Sequence, residues 1–385
     1  MINDKEDILQ KTADYMERYV RSQVNKMEAQ ESFSLAIIQD MAQMGLLGAS
    51  LPKEYGGLEL DPLTYGRLTE VIGKVSSTTR TLLTVHTSLV GETLARYGNE
   101  GQKEKYLRDI CRGSKIACFA LTEPENGTDA ATIKTSYEKK EQVYILNGHK
   151  RWISLAGIAD LMLVMAVNCT DNKKMSAFLV DRKAPGIEVT PVTGLLAARD
   201  AYISEIRFKN VEIPADNLLC KEGEGFAFVA NTALFYGRYS IAWGGLATAQ
   251  AALEEMVTYA RKRKQFGKRI GEFQLIQGII GDAVAQITAA RSLCISAGEM
   301  RVKGQEDAVM QTNIAKYITS RISAQICADA VQVLGGNGCC SCYPVERLFR
   351  ESKILEIIEG TSQIQQVMLA NYGMRKFYKR ENTGV

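Results

Sequence analysis

Histidine is nearly missing from this chain: His86 and His149 are the two it has in 385 residues. Without an H-E-x-x-H spacing, zinc hydrolysis and histidine-based nucleophilic catalysis have little to work with. The sequence also lacks G-x-x-x-x-G-K-[ST], G-x-S-x-G, and any G-x-G-x-x-G placed between a strand and a helix. Those absences remove the P-loop, the nucleophile elbow and the usual dinucleotide fingerprint. An excess of one charge is lacking too: the formal balance is +3, and the densest basic cluster, Arg261-Lys262-Arg263-Lys264, stands beside Phe266. A nucleic-acid surface needs a larger basic face, so that class is set aside. No uninterrupted apolar run approaches the ~20 residues of a membrane span. The longest, Ile158 to Val167, is cut by Asp160, and no membrane association is expected.

What is present is ordinary for a globular protein: 46% apolar and 24% charged residues, too apolar for disorder. A chain this long exceeds what one core serves, so two or three packed regions are expected. Nine cysteines make an odd count, and the opening Met1-Ile2-Asn3-Asp4-Lys5-Glu6-Asp7 is charged where a secretory segment is apolar. Free thiols in a reducing cytoplasm are therefore expected. Cys339-Cys340-Ser341-Cys342 invites a metal reading, but two adjacent cysteines plus one close a tetrahedral site poorly. A loop of small residues is the preferred reading, and no metal is expected.

The patterning divides the chain into three. Residues 1–118 read as helical, with Ile8, Ala13, Met16 and Val20 on one face and a second run from Phe33-Ser34 through Met44. Helix is predicted again from Thr64 to Gly73 and from Leu82 to Tyr97. Over residues 119–225 the period shortens towards two. Val143 to Leu146 leads into Asn147-Gly148 and then Lys150 to Ile153, which predicts a tight hairpin. Leu161 to Val167, Ser176 to Val180 and Ile203 to Phe208 are further strands. Over residues 226–385 helix returns: Leu246, Ala249, Leu253, Met256 and Ala260 form a stripe, and Ile276 to Met300 and Val309 to Val333 follow the same spacing. Generic motifs alone thus yield a large α+β protein and no activity.

Two segments change this. Leu121-Thr122-Glu123-Pro124-Glu125-Asn126-Gly127-Thr128-Asp129 resembles the first signature of the acyl-CoA dehydrogenase family, and Glu359-Gly360-Thr361-Ser362-Gln363-Ile364-Gln365 resembles the segment carrying its catalytic glutamate. Between them, in family order, stand Trp152-Ile153-Ser154, Arg263-Lys264-Gln265-Phe266-Gly267, Gln332-Val333-Leu334-Gly335-Gly336 and Tyr343-Pro344-Val345-Glu346-Arg347. The resemblance spans essentially the whole chain. It implies an N-terminal α-helical domain, a middle β-barrel or sandwich domain and a C-terminal four-helix bundle.

The same resemblance implies FAD as cofactor. Phe119, Leu121, Thr122, Gly127 and Thr128 would run along the flavin, and Trp152, Ile153 and Ser154 would lie against its ring. Arg263, Phe266 and Gln274 would reach FAD bound mainly by a neighbouring subunit. Gln332, Val333, Gly335 and Gly336 would hold the adenosine part, and Thr361 and Gln363 would complete the contacts. A shared cofactor implies a homo-oligomer, a tetramer or a dimer. Glu359 would remove the α-proton of an acyl thioester while FAD accepts a hydride from the β-carbon. Burial is expected to raise that carboxyl towards neutrality. Some family members carry the base on an earlier helix, but the matching residue here is Gly237. Electrons would pass to an electron-transferring flavoprotein.

Arg80, Thr128, Tyr236, Arg238 and Gly360 are the expected substrate contacts. Arg80 falls where glutaryl-CoA dehydrogenase binds a distal carboxylate, and a guanidinium suits such a group. Phe235 replaces an Asp common in short-chain members near the CoA end, which weakens the case for free CoA. Arg238-Tyr239-Ser240-Ile241-Ala242-Trp243-Gly244 is similar both to the glutaryl enzymes and to the dehydrogenases that act on acyl carrier protein in polyketide and nonribosomal extender-unit biosynthesis. A small polar acyl group on a carrier protein, in antibiotic biosynthesis, is the expectation. A catabolic short-chain or glutaryl-type acyl-CoA dehydrogenase is the alternative. A flavin monooxygenase or oxidase, or an acyl-binding protein without redox work, is a rival from another class. Read without the resemblance, Glu359 is a solvated residue before a capped helix, Tyr236 and Trp243 are packing residues, and Arg238 is a salt-bridge partner.

Overall fold

The computed structural model describes residues 4–378 and divides into two compact units, one running to Ser240 and one from Ile241. The first begins with helices whose starts are chemically marked. Asp61 caps Pro62–Gly73 by accepting from the amides of Leu63 and Thr64, with proline at the first helical position. Ser76 caps Ser77–Leu82, the short helix that carries Arg80. Asn99 and Gln102 form a reciprocal capping box for Glu100–Arg112, which ends at left-handed Gly113.

The strands are β1 (Ala117–Ala120), β2 (Ser136–Lys140), β3 (Val143–Ile153), β4 (Leu161–Asn168), β5 (Met175–Asp181), β6 (Ile187–Pro191), β7 (Ser204–Pro214) and β8 (Leu218–Leu219). They join in one mixed sheet of order β6-β7-β3-β2-β4-β5-β8, with β1 pairing parallel to β4. β4 is apolar on both faces because it feeds two cores. Met162, Val164 and Ala166 pack with the N-terminal helices, while Leu161, Leu163, Met165 and Val167 pack with Leu107, Ile110 and Val229. β1 pairs with the start of β4 and β2 with its end. The connection over 121–135 therefore leaves β4 opposite Val164 and rejoins it opposite Val167, beside β3.

The expected Asn147-Gly148 hairpin is not there. β3 runs unbroken through both residues, and the register against β7 slips between Leu146 and Gly148. Glycine is needed for close approach: a Cβ on Gly148 would lie 2.4 Å from Thr135 Oγ1 and 2.6 Å from Thr135 Cα. Asn147 Oδ1 accepts from the Asn210 amide at 2.8 Å across the slip. The pair thus builds a bulge, which the same two letters encode as readily as a turn.

In the second unit the helix Asn231–Lys262, from Ile241 onward, is joined by Gln274–Val302, Ala308–Leu334, Val345–Leu355 and Ser362–Phe377. Leu246, Ala249, Leu253, Met256 and Ala260 are all buried, as their spacing predicts. The antiparallel pair Lys264–Gln265 and Lys268–Arg269 turns through Phe266 (φ 50°) and Gly267 (φ 79°), both left-handed as a tight hairpin requires. Gln274–Val302 is, by length and composition alone, long and apolar enough to cross a membrane, although it contains no uninterrupted apolar run of that length. Charges spaced along it at Asp282, Arg291 and Glu299 hide it from a search for uninterrupted runs. Leu275, Val284, Ile295 and Val302 lie exposed on it.

Gly148→Ala should cost about 2 kcal/mol, because backbone and not a flexible side-chain end blocks the new methyl. Gly278→Ala, whose added methyl meets nothing within 4 Å inside a helix, should be neutral or mildly stabilising. Urea midpoints measure both, and equal midpoints for the two variants would contradict the bulge.

Candidate active site

The 121–135 connection is held by an ion pair that is almost wholly buried. Lys150 Nζ donates to Glu123 Oε1 at 2.8 Å and to the Leu121 carbonyl at 2.9 Å. Glu123 also accepts the amides of Lys134 (2.6 Å) and Thr135 (2.8 Å), and the Arg151 amide donates to the Thr122 carbonyl at 3.0 Å. Loop and strand end are thereby tied together, Leu121 to Glu123 against Lys150 and Arg151. Burial pushes the Lys150 ammonium down to about 8, with Glu123 acting in the opposite sense. Burial also opposes ionisation of Glu123, but the Lys150 charge and its hydrogen bonds outweigh it and hold the carboxyl below its ordinary value. Glu123 is a structural carboxylate here. Lys150 was missed, although it occupies an inward position of an alternating strand.

At the end of β3, Trp152 adopts a left-handed backbone (φ 63°) and is about half exposed, with the Arg151 guanidinium 4.6 Å from its ring centroid. A large aromatic held in that conformation costs about 1–2 kcal/mol and presents a flat apolar face outward. Phe119 is partly buried, while the side chains of Leu121 and Ile153 are buried and offer only backbone. Thr122 and Ser154 are partly exposed, and Gly127 and Thr128 are exposed.

Arg80 is buried in the helical part of this unit. It donates to Thr84 Oγ1 at 3.1 Å and Thr81 Oγ1 at 3.2 Å, and Thr84 and Ser240 share a 2.7 Å hydrogen bond. Tyr236 stacks against Phe235 with ring centroids 5.6 Å apart and accepts a hydrogen bond from Arg96. Arg238 is partly buried, and Gly237 is buried and carries no carboxylate.

In the second unit Glu359 also has a left-handed backbone (φ 55°), followed by Gly360 at φ 98°. Two successive left-handed residues form a sharp turn, which Thr361 ends by capping Ser362–Phe377 through the Ile364 amide. Lys316, fully buried on Ala308–Leu334, donates to the Gly360 carbonyl at 2.7 Å. Gln365 Nε2 donates to the Glu359 carbonyl at 3.4 Å. Glu359 is partly buried, with its Oε2 shielded from solvent. Lys316 was also missed; its signal is a lysine between Thr312, Ala315 and Thr319 on the buried face of a helix.

Arg263, Phe266 (94% exposed) and Gln274 lie on the exposed hairpin and the helix start after it. Gln332, Gly335 and Gly336 are exposed at the end of Ala308–Leu334, whereas Val333 is buried. Asn337 Nδ2 donates to Tyr259 Oη at 2.7 Å near this turn. Gln363 is exposed one turn beyond Gly360. These residues fit an FAD. A Cβ on Gly127, Gly335 or Gly336 would meet nothing within 4 Å, so these glycines leave room that the protein does not fill. Trp152 and Phe266 offer unspent apolar surface beside hydrogen-bonding groups. Among the described residues no cluster suited to a metal ion occurs.

Removing the Glu123 charge strands a buried ammonium, so Glu123→Gln should cost about 3 kcal/mol at pH 7. The folded carboxyl ionises below its unfolded value, so this stabilisation is complete above about pH 4.5 and fades as pH falls through the folded value. Urea midpoints of both proteins from pH 7 downward should converge in acid; a constant gap would contradict the assignment.

Family models described as the acyl-CoA dehydrogenase N-terminal, middle and C-terminal domains match residues 3–114, 118–211 and 223–373. An acyl-CoA dehydrogenase of Bacillus subtilis is 36% identical over 361 residues, covering 93% of this chain and 95% of that protein. The caffeyl-CoA reductase-Etf complex subunit CarC of Acetobacterium woodii is 34% identical, covering 94% and 96%. The crystal structure of the prolyl acyl carrier protein oxidase AnaB superposes with a TM-score of 0.91 at 29% identity, covering 97% of this chain and 99% of that one. The chain belongs to the acyl-CoA dehydrogenase family, whose members are FAD-dependent oxidoreductases acting on CH–CH groups.

Proposed function

We propose that this protein dehydrogenates a small polar acyl thioester, with Glu359 as the base that removes the α-proton. The observation that carries this reading is the turn at Glu359-Gly360: a carboxylate oxygen shielded from solvent on a backbone that a non-glycine residue adopts only under constraint. Lys316 holds the following carbonyl, so the carboxyl-bearing residue cannot relax to an ordinary helical geometry without breaking a buried charged hydrogen bond. An acyl-thioester α-proton is weakly acidic, and a fixed carboxylate suits its removal.

Leu121 to Thr128, Trp152 to Ser154, Arg263, Phe266, Gln274, Gln332 to Gly336, Thr361 and Gln363 would hold the cofactor. FAD supplies the hydride acceptor for the β-carbon when bound. Because Phe266, Gln274, Gln332 and the glycines beyond it are exposed, we assign part of this set to a second copy of the chain, in a dimer or tetramer. The exposed apolar residues of Gln274–Val302 support that assignment. We divide the chain near residues 118 and 225, in line with the helix–strand–helix order.

We assign Arg80 to the polar end of the acyl group; its burial among Thr81, Thr84 and Ser240 supports a role beyond solvation. Thr128, Tyr236, Arg238 and Gly360 complete the substrate set. A carrier protein is the favoured acyl carrier, in extender-unit biosynthesis in the cytoplasm; Phe235 and the similarity to AnaB support it. Free CoA is the second reading, favoured by relatives named for CoA thioesters. An electron-transferring flavoprotein is the proposed acceptor, in keeping with the name of the CarC complex.

Anaerobic mixing of the FAD-loaded protein with paired carrier-bound and CoA thioesters tests the carrier. Bleaching with the carrier-bound group alone is expected, and the reverse would transfer the assignment to CoA. Glu359→Gln should slow bleaching by roughly 10⁴-fold while FAD stays bound, and unchanged bleaching would remove Glu359 from the reaction. Arg80→Met should lower kcat/KM by roughly 30-fold for acyl groups with an anionic end and leave neutral ones little changed.

A further inference from the structure

The sequence Cys339-Cys340-Ser341-Cys342 has no part in the reaction described above. Of the nine thiols, Cys294 is buried together with the three named next, Cys220 is partly buried, and four are exposed. Cys111, Cys118 and Cys327 are buried, and burial pushes them up to about 11, 12 and 12, which leaves them inert. Cys339, Cys340 and Cys342 are exposed, together with the distant Cys169.

Cys340 opens a reverse turn that the Tyr343 amide closes on the Cys340 carbonyl at 2.9 Å. The turn is anchored at both ends. The Cys340 amide donates to the Asn337 carbonyl at 3.1 Å, Asn337 donates to Tyr259, and the Tyr343 ring stands edge-on to Tyr259 with centroids 5.8 Å apart. This frame brings the side chains of residues two apart together: Cys342 Sγ lies 2.7 Å from Cys340 Sγ. That separation is only about 0.7 Å beyond a covalent S–S bond. The Cys342 thiol donates to the Cys340 sulfur and lowers its titration, while Cys342 is raised by the same contact. The two thiols are thus differentiated, one as the better thiolate and the other as its donor.

We propose that Cys340 and Cys342 form a redox-active dithiol that closes to an intrachain disulfide by exchange with a small disulfide of the glutathione class. The Cys340 thiolate attacks one sulfur of that disulfide, forming a mixed disulfide and releasing one thiolate. The Cys342 thiolate then attacks the Cys340 sulfur, forming the intrachain bond and releasing the second. Two protein thiols are oxidised, one small disulfide is reduced to two thiols, and the protons pass to those leaving thiols. Cys169 is exposed with no thiol beside it, so it can go no further than a mixed disulfide.

The test incubates native, FAD-loaded full-length protein with oxidised glutathione, blocks remaining thiols with an alkylating agent, and reads intact and peptide masses. The wild type and Cys339→Ser should both lose the mass of two hydrogens in the 322–347 peptide and revert with dithiothreitol, and Cys339→Ser, which lacks the neighbouring exposed thiol, should retain no glutathione there. Cys342→Ser should instead keep one glutathione on Cys340, and Cys340→Ser should not close. Closure should run at least ~10-fold faster than adduct formation at Cys169. A glutathione adduct persisting on the turn of Cys339→Ser, closure surviving in Cys340→Ser or Cys342→Ser, or no reaction at the turn would each overturn the proposal.

Discussion

A single buried ammonium sets the geometry on which the functional reading depends. Lys316 has no access to water, and its hydrogen bond to the Gly360 carbonyl fixes the turn that presents Glu359. A lysine is costly to bury, so it persists only where oxygen acceptors compensate it. A backbone carbonyl at a sharp turn is such an acceptor, because it is not consumed by a helix. The left-handed glutamate and the buried lysine thus sustain each other. The turn satisfies the charge, and the charge holds the turn against its own strain.

In the first unit, the 121–135 loop uses the same device with the sign completed. Glu123 and Lys150 neutralise one another inside the protein, and the carboxylate also accepts two backbone amides, Thr135 on Oε1 and Lys134 on Oε2. The pair gives little net stability compared with an apolar substitute, but it fixes where the chain runs. With the Arg151-to-Thr122 bond it leaves Trp152 standing outward from a rigid strand end. Rigidity of this kind suits a surface that must meet a flat ring.

Much of this was legible in the sequence. Helices with strong three-and-four spacing, such as the stripe from Leu246 to Ala260, stand where the pattern puts them, because burial of one face enforces the period. The buried strand Leu161–Asn168 was equally plain. Asn147-Gly148 misled because the dipeptide reports a local kink, and whether the chain then reverses depends on the partner strand, which sequence does not display. The membrane-length helix Gln274–Val302 escaped because its charges are spaced and not clustered. Glu359 came from a resemblance and not from generic chemistry: a lone carboxylate before Gly-Thr has no motif of its own. Lys316 and Lys150 went unseen because each needs a tertiary partner to explain it.

The central claim is that Glu359 removes an α-proton, and it can be tested apart from any hydride transfer. A thioester whose β-position is sulfur has acidic α-hydrogens and nothing to oxidise, so incubation in deuterated water isolates the proton step. Nuclear magnetic resonance should show the wild-type, FAD-loaded protein exchanging those hydrogens for deuterium. Glu359→Gln, with FAD still bound, should leave them in place. Exchange at the wild-type rate in the glutamine variant would contradict the account.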